Sequence, residues 1–262
     1  ADSLETIRRL IGLIDKFDDS NFRNFAKLPL VYAAQSMLRK YIPKKIMTAY
    51  WGHLWRMYYS LYFESKIRKN IFSDTFGKAS FITGDIRSLD QFISEKVDWI
   101  ITSPPYGTAV DYVGNDVYSL YLLQLSTDHL AIDRNTIGSM KMLPKSSNLD
   151  KLELPNCVIS PLNQLFRTNP RKARALAAYY ENMTVAFQQI REVLKKGGKL
   201  VVIIGTEQDF PSDEGKINLP IAESMKELGL CCNLDLIEEK VIKLAKNTYG
   251  GIFTESILTF GK

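Results

Sequence analysis

The chain has 262 residues, of which 45% are hydrophobic, and this length and composition support one large or two small folded domains. Its apolar runs are short and none approaches the roughly 18 unbroken apolar residues of a membrane span, so we expect no membrane partner. The 34 basic and 29 acidic residues give a net charge of +5, which suits a polyanionic partner such as nucleic acid without requiring one.

The cysteine and histidine content argues against a disulfide framework and against a metal site. Three cysteines are present, Cys157 and the adjacent Cys231 and Cys232, and their odd number and spacing are typical of reduced thiols. With only two histidines in the chain, we expect no bound metal. The first five residues are polar and of mixed charge, without the features of a secretory signal, which predicts a cytoplasmic, prokaryotic-type intracellular protein.

The first part of the chain, residues 1–77, is predicted to be mainly helical. Apolar residues recur at spacings of three and four over Ser3–Asp15 and Leu28–Lys69, with a break expected at Pro43. The second segment is rich in aromatic residues, for which we favour core packing, with a base-stacking surface as the alternative: Tyr50, Trp51, Trp55, Tyr58, Tyr59, Tyr62 and Phe63.

From Lys78 onward the sequence changes to short apolar runs that end at turn residues. Ala79–Thr83 is predicted to form a strand that ends at Gly84-Asp85, and Val97–Thr102 a second strand that ends at Ser103. Because the apolar character of these runs is continuous rather than alternating, we expect both strands in a parallel sheet that is covered on both faces.

The rest of the chain is predicted to alternate between helices and strands around one long insertion. Residues Ser126–Arg171 are rich in Pro, Asn, Ser, Asp and Lys with little periodicity, which predicts irregular structure that is functional or mobile. The alternation indicates an open α/β sheet closed by an antiparallel pair of strands. The expected helices are Asn115–Leu125, Ala173–Lys195 with a stop at Gly197-Gly198, and Pro220–Leu228, and the expected strands are Lys199–Gly205, Ile237–Leu244 and Thr254–Phe260.

The segment with the clearest chemical content is Ser103-Pro104-Pro105-Tyr106, directly after the strand predicted at Val97–Thr102. Ligands of open α/β sheets bind beyond the carboxyl ends of strands, where this tetrapeptide is expected to lie. The two prolines lack amide hydrogens and have fixed φ angles, so they hold carbonyl oxygens in a rigid turn, and the tyrosine offers a flat ring. Such a turn can bind an aromatic amine. A rigid turn without activity is the alternative.

On these residues the chain resembles the DNA amino-methyltransferases, whose signature is Asp, Asn or Ser followed by Pro-Pro and Tyr or Phe after a buried strand. The resemblance covers roughly Ala79–Lys262, with a gap of low similarity at Ser126–Arg171. It implies a partial Rossmann-like methyltransferase sheet with an antiparallel closing strand pair, preceded by the helical N-terminal region. Residues 78–262 would form the catalytic region. Thr102 and Ser103 before the prolines resemble the cytosine-N4 branch, whereas adenine-N6 enzymes more often carry Asp or Asn there. Other similar segments are Thr83–Leu89, Ala109–Val113, Leu194–Gly205 and Glu255–Phe260.

The resemblance implies a base-binding role for the tetrapeptide. Ser103 and the carbonyl of Pro104, in a turn that includes Pro105, would accept hydrogen bonds from the target amino group, and Tyr106 would stack on the flipped base. The substrate implied is double-stranded DNA, from which the base is flipped out at a cost of about a few kcal/mol. Residues 126–172 would be the insertion that contacts DNA or recognises the target, with a mobile linker as the alternative.

The resemblance also implies S-adenosylmethionine as the cofactor. Asp85, with Ile86 and Thr102, would contact its adenosine portion, and a simple Gly-Asp turn is the alternative for Asp85. The family binds the rest of this cofactor on a Phe-x-Gly-x-Gly turn, where missing side chains let the backbone approach closely. The sequence has no such spacing between a strand and a helix. We therefore expect a second subunit or chain segment to carry that turn. The alternatives are an adenine-N6 enzyme, or a noncatalytic DNA-binding or scaffold subunit.

Overall fold

The computed structural model describes residues 2–38, 46–71, 78–123, 125, 128–146, 148–213, 215–244 and 254–262. The chain forms two compact units, one made of Ala1–Ser80 and Gly114–His129 and the other of Phe81–Val113 and Leu130–Lys262. The break expected at Pro43 lies outside the described residues. In the described part of the chain, no helix has both the length and the apolar character needed to cross a bilayer.

The first unit is helical, as predicted for the start of the chain. It contains α1 (Asp2–Ile14), α2 (Ser20–Leu38), α3 (Ile46–Ile71) and most of α4 (Tyr112–Leu122). The second helix begins earlier than predicted, because the Asp19 carboxylate accepts hydrogen bonds from the backbone N–H groups of the first turn. The buried core of this unit is apolar and includes Ile7, Leu10, Ile14, Ala26, Leu30, Ala33, Ala34, Ile46 and Tyr50.

The aromatic residues of α3 are mostly exposed, so the prediction that they pack in a core is wrong. Tyr50 is buried, whereas Trp55 is 59% exposed. The rings of Trp55 and Tyr58 stack with centroids 5.6 Å apart, and those of Tyr58 and Tyr62 with centroids 6.4 Å apart. Apolar side chains surround this helix on every side, and packing against neighbouring helices on one side can bury only part of them.

The second unit is an α/β structure. In chain order its elements are a 3-10 helix (Ile86–Gln91), β1 (Val97–Thr102), α5 (His129–Asn135), a 3-10 turn (Leu149–Lys151), α6 (Asn156–Thr168), α7 (Pro170–Val193), β2 (Leu194–Gly205), β3 (Gln208–Ser212), β4 (Gly215–Leu219), α8 (Ile221–Cys231), β5 (Asp235–Lys243) and β6 (Thr254–Gly261).

Four of these strands form a mixed sheet in the order β1-β2-β6-β5. Strands β1 and β2 are parallel, and β6 is antiparallel to both of its neighbours, β2 and β5. This arrangement confirms the predicted α/β sheet with a closing antiparallel pair. The carboxyl ends of β1 and β2 and the amino end of β6 therefore meet at one edge of the sheet.

The strand predicted at Ala79–Thr83 is absent, which corrects that expectation. Residues 78–85 are irregular, and the side chain of Phe81 is 98% exposed. A strand needs a neighbour to bond its backbone groups, and none of the described strands pairs with this segment. Local apolar character alone therefore did not decide its structure.

The helix α7 contributes many of the buried residues in the core of this unit. It begins at Pro170, where the Asn169 side chain accepts a hydrogen bond of 3.1 Å from the Lys172 N–H group and caps the first turn. It ends at Val193, so the predicted stop at Gly197-Gly198 is wrong. Those glycines lie instead in an irregular stretch of β2, where Gly197 has a φ of +79°. Completely buried residues line α7 and the inner face of the sheet, including Leu176, Tyr179, Tyr180, Phe187, Leu200, Val202, Ile204, Leu258 and Phe260.

The insertion at Ser126–Arg171 is more regular than predicted, because it contains the helix α6. Val158, Leu162 and Leu165 of α6 are fully buried in the same core as α7. Their spacing of three and four is helical, but Pro155 and Pro161 and the many polar residues obscured it in the sequence. Part of this insertion therefore belongs to the core of the fold.

A candidate base-binding turn at the carboxyl edge of the sheet

The Ser103-Pro104-Pro105-Tyr106 segment follows β1 directly, at the edge of the sheet where β2 ends and β6 begins. Pro104 is buried, Pro105 and Tyr106 are half-buried, and Ser103 is exposed. This confirms that the tetrapeptide lies at the carboxyl end of a parallel strand, where open α/β sheets bind ligands.

The turn is held in one conformation by its own backbone. The Gly107 N–H group donates to the Pro105 carbonyl at 3.0 Å, and Gly107 has a φ of +47°, which favours glycine. A Cβ atom built on Gly138 would lie 2.7 Å from the Gly107 carbonyl oxygen, so the chain passes very close to the turn there. Among the described residues, no donor bonds to the Pro104 carbonyl, which leaves this oxygen available as an acceptor.

The ring of Tyr106 is fixed by two hydrogen bonds. Its hydroxyl donates to Oε1 of Glu255 at 2.6 Å, and its backbone N–H donates to the Tyr112 hydroxyl at 3.1 Å. Burial and the neighbouring Glu255 carboxylate raise the pKa of Tyr106 to about 12, while the Ser103 side chain opposes that rise. Tyr106 is therefore a neutral hydrogen-bond donor to Glu255 at physiological pH.

Glu255 is a candidate site residue that the sequence did not single out. It is the second residue of β6 and lies opposite Gly205, the last residue of β2. Because β6 runs antiparallel to β2, its first residues lie beside the turn that follows β1. The contact joins residues 149 positions apart in the sequence, and no local pattern signals it.

Two buried hydroxyl groups lie in or under the turn. A Cβ atom built on Gly107 would lie 3.8 Å from the ring of Tyr179, a completely buried residue of α7. Within the described part of the chain, the hydroxyls of Tyr179 and Thr108 have no hydrogen-bond partner. Burial, with the nearby Tyr180, Tyr112 and Tyr106 hydroxyls, holds the pKa of Tyr179 well above its usual value. Tyr179 therefore stays neutral and provides a polar group beneath the turn.

Asp85 lies at the start of the 3-10 helix and is engaged by Arg87. Its carboxylate accepts the Arg87 backbone N–H at 2.9 Å and pairs with the guanidinium at 2.6 Å. The hydrogen bond from Arg87 keeps the pKa of Asp85 below its usual value. Arg87 also donates to the Asn182 side chain and the Asn135 carbonyl, which ties this group to α7 and α5.

The residues predicted to contact the cofactor are spread over different environments. Ile86 is half-buried against the main core, and Thr102 pairs with Val202 inside the sheet. The described residues near the turn supply acceptors and a ring. They supply no glycine-rich turn beside β1, so by themselves they do not fit S-adenosylmethionine. The cofactor roles of Asp85, Ile86 and Thr102 remain predictions.

The turn after β1 carries an unbonded carbonyl oxygen and an aromatic ring at the carboxyl end of a parallel strand, which is typical of a ligand-binding site. No protein-family model matches the chain, and no curated protein matches it. Among solved structures, the chain is similar to the crystal structure of a "Putative DNA Modification Methylase" from Thermus thermophilus, with 14% identity and a TM-score of 0.33. The similarity covers 68% of this chain and 52% of the other, so the chain spans about half that protein's length.

Proposed function

We propose that the chain is a component of a DNA methyltransferase that methylates the exocyclic amino group of a flipped base, with cytosine N4 as the target. The observation that carries this proposal is the geometry of Ser103-Pro104-Pro105-Tyr106. The turn sits at the carboxyl end of a parallel strand and presents an unbonded Pro104 carbonyl next to the ring of Tyr106.

These residues account for how an amino group is bound. The Pro104 carbonyl and the Ser103 hydroxyl oxygen would each accept a hydrogen bond from the amino nitrogen, and the Tyr106 ring would stack on the base. With both hydrogens engaged, the nitrogen is turned so that its lone pair faces away from the acceptors. The methyl donor would be S-adenosylmethionine, which supplies an electrophilic methyl group when bound.

Double-stranded DNA is the proposed substrate. The net charge of +5 favours a polyanion, and residues 126–172 remain the candidate for DNA contact. Because α6 is part of the core, the contact is better assigned to the segment before it. There Lys145 and Lys151, together with Glu153 and Glu181, line an open cleft of about 380 Å³.

We propose as the partner a second subunit or chain segment with the Phe-x-Gly-x-Gly turn. The open side of the outermost strand, β1, supports this proposal. Strand β1 is the outermost strand, so one side of its backbone has no strand partner among the described residues. Trp99 and Ile101 on this strand are 55% and 70% exposed, although parallel strands are normally covered on both faces. An added strand would pair with the open side of β1 and place a cofactor-binding turn beside Ser103.

We predict that the 262-residue chain alone binds S-adenosylmethionine weakly or not at all, because Asp85 and its neighbours supply only part of a site. Calorimetric titration of the purified chain measures this directly. Binding near micromolar, or about −8 kcal/mol, would mean that the chain holds a complete cofactor site and needs no partner for it.

The second prediction concerns the product. DNA treated with the enzyme and its partner should contain N4-methylcytosine, because the short Ser103 hydroxyl replaces the longer acidic or amide acceptor typical of adenine enzymes. Nucleoside mass spectrometry after digestion identifies the product. N6-methyladenine alone would support the adenine-N6 alternative, and methylated RNA or protein without methylated DNA would contradict the proposed function.

The competing proposal is a noncatalytic DNA-binding or scaffold subunit. It predicts that DNA binding does not depend on Tyr106 and that the chain with its partner transfers no methyl group. Cofactor titration of the chain with and without the partner separates the two proposals, since only a catalytic component should gain a cofactor site on assembly.

A further inference from the structure

The net charge of the chain is confined to the helical unit. This unit, Ala1–Ser80 with Gly114–His129, has 14 basic and 9 acidic residues and therefore a charge of +5, whereas the second unit has 20 of each. Helix α3 alone carries four basic residues and one acidic residue. A surface that attracts a polyanion is therefore expected on the helical unit, and on α3 in particular.

One side of α3 carries a row of aromatic side chains, which we call the aromatic stripe: Trp51, Trp55, Tyr58 and Tyr62. Their spacing of four, three and four residues places them along one side of the helix, and each is between 45% and 59% exposed. The ring planes of Trp55 and Tyr58 differ by only 17°, and those of Tyr58 and Tyr62 by 21°. The stripe is thus a nearly continuous, exposed aromatic surface.

Cationic side chains accompany the aromatic stripe. Lys66 lies one turn beyond Tyr62, is exposed, and has its ammonium nitrogen 5.6 Å from the centroid of the Tyr62 ring. Arg56, next to Trp55 in the sequence, is also exposed. A seam that packs against another helix normally consists of leucine and β-branched residues. Flat rings combined with cations are instead the arrangement with which proteins bind unpaired bases and their phosphates.

We propose that the aromatic stripe of α3 binds single-stranded DNA, with bases stacked on its rings and backbone phosphates near Lys66 and Arg56. The bases must be unpaired, since both faces of a base inside a duplex are covered by its neighbours. This binding surface involves no methyl transfer and goes beyond the proposed function. Only the choice of DNA over RNA rests on that function.

Binding of a labelled single strand of about 12 deoxyuridine nucleotides to the whole chain tests the inference. Uracil has no exocyclic amino group, so this probe does not report on the proposed binding of an amino group. Trp55→Leu and Tyr58→Leu should each weaken binding roughly fivefold or more in fluorescence anisotropy, because leucine is apolar but offers no flat face. Trp55→Phe keeps a ring and should retain most of the affinity.

The matched control is Tyr121→Leu, which replaces an exposed tyrosine of α4 in the same unit and should bind the probe as the native chain does. The salt dependence of binding tests the role of the cations. Each phosphate contact to a single strand contributes about −0.7 to the slope of log affinity against log salt concentration, so Lys66→Gln should make this slope shallower by about 0.7.

Native affinity in both leucine variants of the stripe, an equal loss in Tyr121→Leu, or no binding by the native chain would overturn the inference. Loss of binding in Tyr106→Ala but not in the stripe variants would place the strand at the turn, which contradicts the inference and leaves the proposed function standing. Tighter binding of the matching uridine ribonucleotide strand would contradict the choice of DNA. A chain that binds the probe through the stripe but methylates no DNA with its partner would uphold the inference and contradict the proposed function.

Discussion

Replacing Tyr106 with alanine is expected to reduce methyl transfer by roughly 5-fold to 150-fold, once the chain is combined with its proposed partner. The ring is the only flat face that the described turn offers to a base, and such stacking contacts are worth about 1–3 kcal/mol per base in other nucleic-acid sites. The side chain is half-buried at the rim of the core, so the fold should survive its loss. The initial rate of methyl incorporation into DNA measures the effect.

Tyr121→Ala provides the matched control for Tyr106→Ala. Tyr121 is an exposed tyrosine of α4 in the helical unit, and its loss should leave the methylation rate unchanged. Circular dichroism should show equal helix content in both variants. A folded Tyr106→Ala variant that methylates DNA at the native rate would show that the base does not bind at this turn.

Replacing Leu162 with alanine should lower the free energy of unfolding by about 2–5 kcal/mol, which is the usual cost of removing a buried leucine side chain. Leu162 is 1% exposed and belongs to the core cluster around α7. The result matters for function because it separates the part of the insertion that builds the fold from the part that we propose contacts DNA. Urea unfolding of the purified chain measures the change.

Ile159→Ala is the matched control for Leu162→Ala. Ile159 lies in the same helix but is 40% exposed, so its replacement should cost less than about 1 kcal/mol. Equal losses of stability at the two positions would mean that α6 does not dock on the core as described. The whole of residues 126–172 would then again be the candidate for DNA recognition.

Much of the fold was predictable where a segment's own sequence and its burial agree. Val97–Thr102 forms a strand as predicted, and most of Ala173–Lys195 forms α7, because each carries the apolar pattern of its element. The predictions failed where partners elsewhere in the chain decide the outcome. Ala79–Thr83 has the composition of a strand but no described strand beside it, and the aromatic residues of α3 have the composition of a core but mostly lie at the surface.

The candidate site likewise has one part that local sequence predicts and another part that depends on contacts with distant residues. The Ser103-Pro104-Pro105-Tyr106 turn follows from its own residues, because proline fixes the backbone locally and the preceding apolar run ends where the turn begins. The hydrogen bond between Glu255 and Tyr106 and the position of Tyr179 beneath Gly107 arise only when the whole chain folds. These contacts depend on the antiparallel register of β6 against β2 and on how α7 packs under the turn. Neither is encoded by residues adjacent to the site, since register and packing are settled by burial summed over the whole sheet.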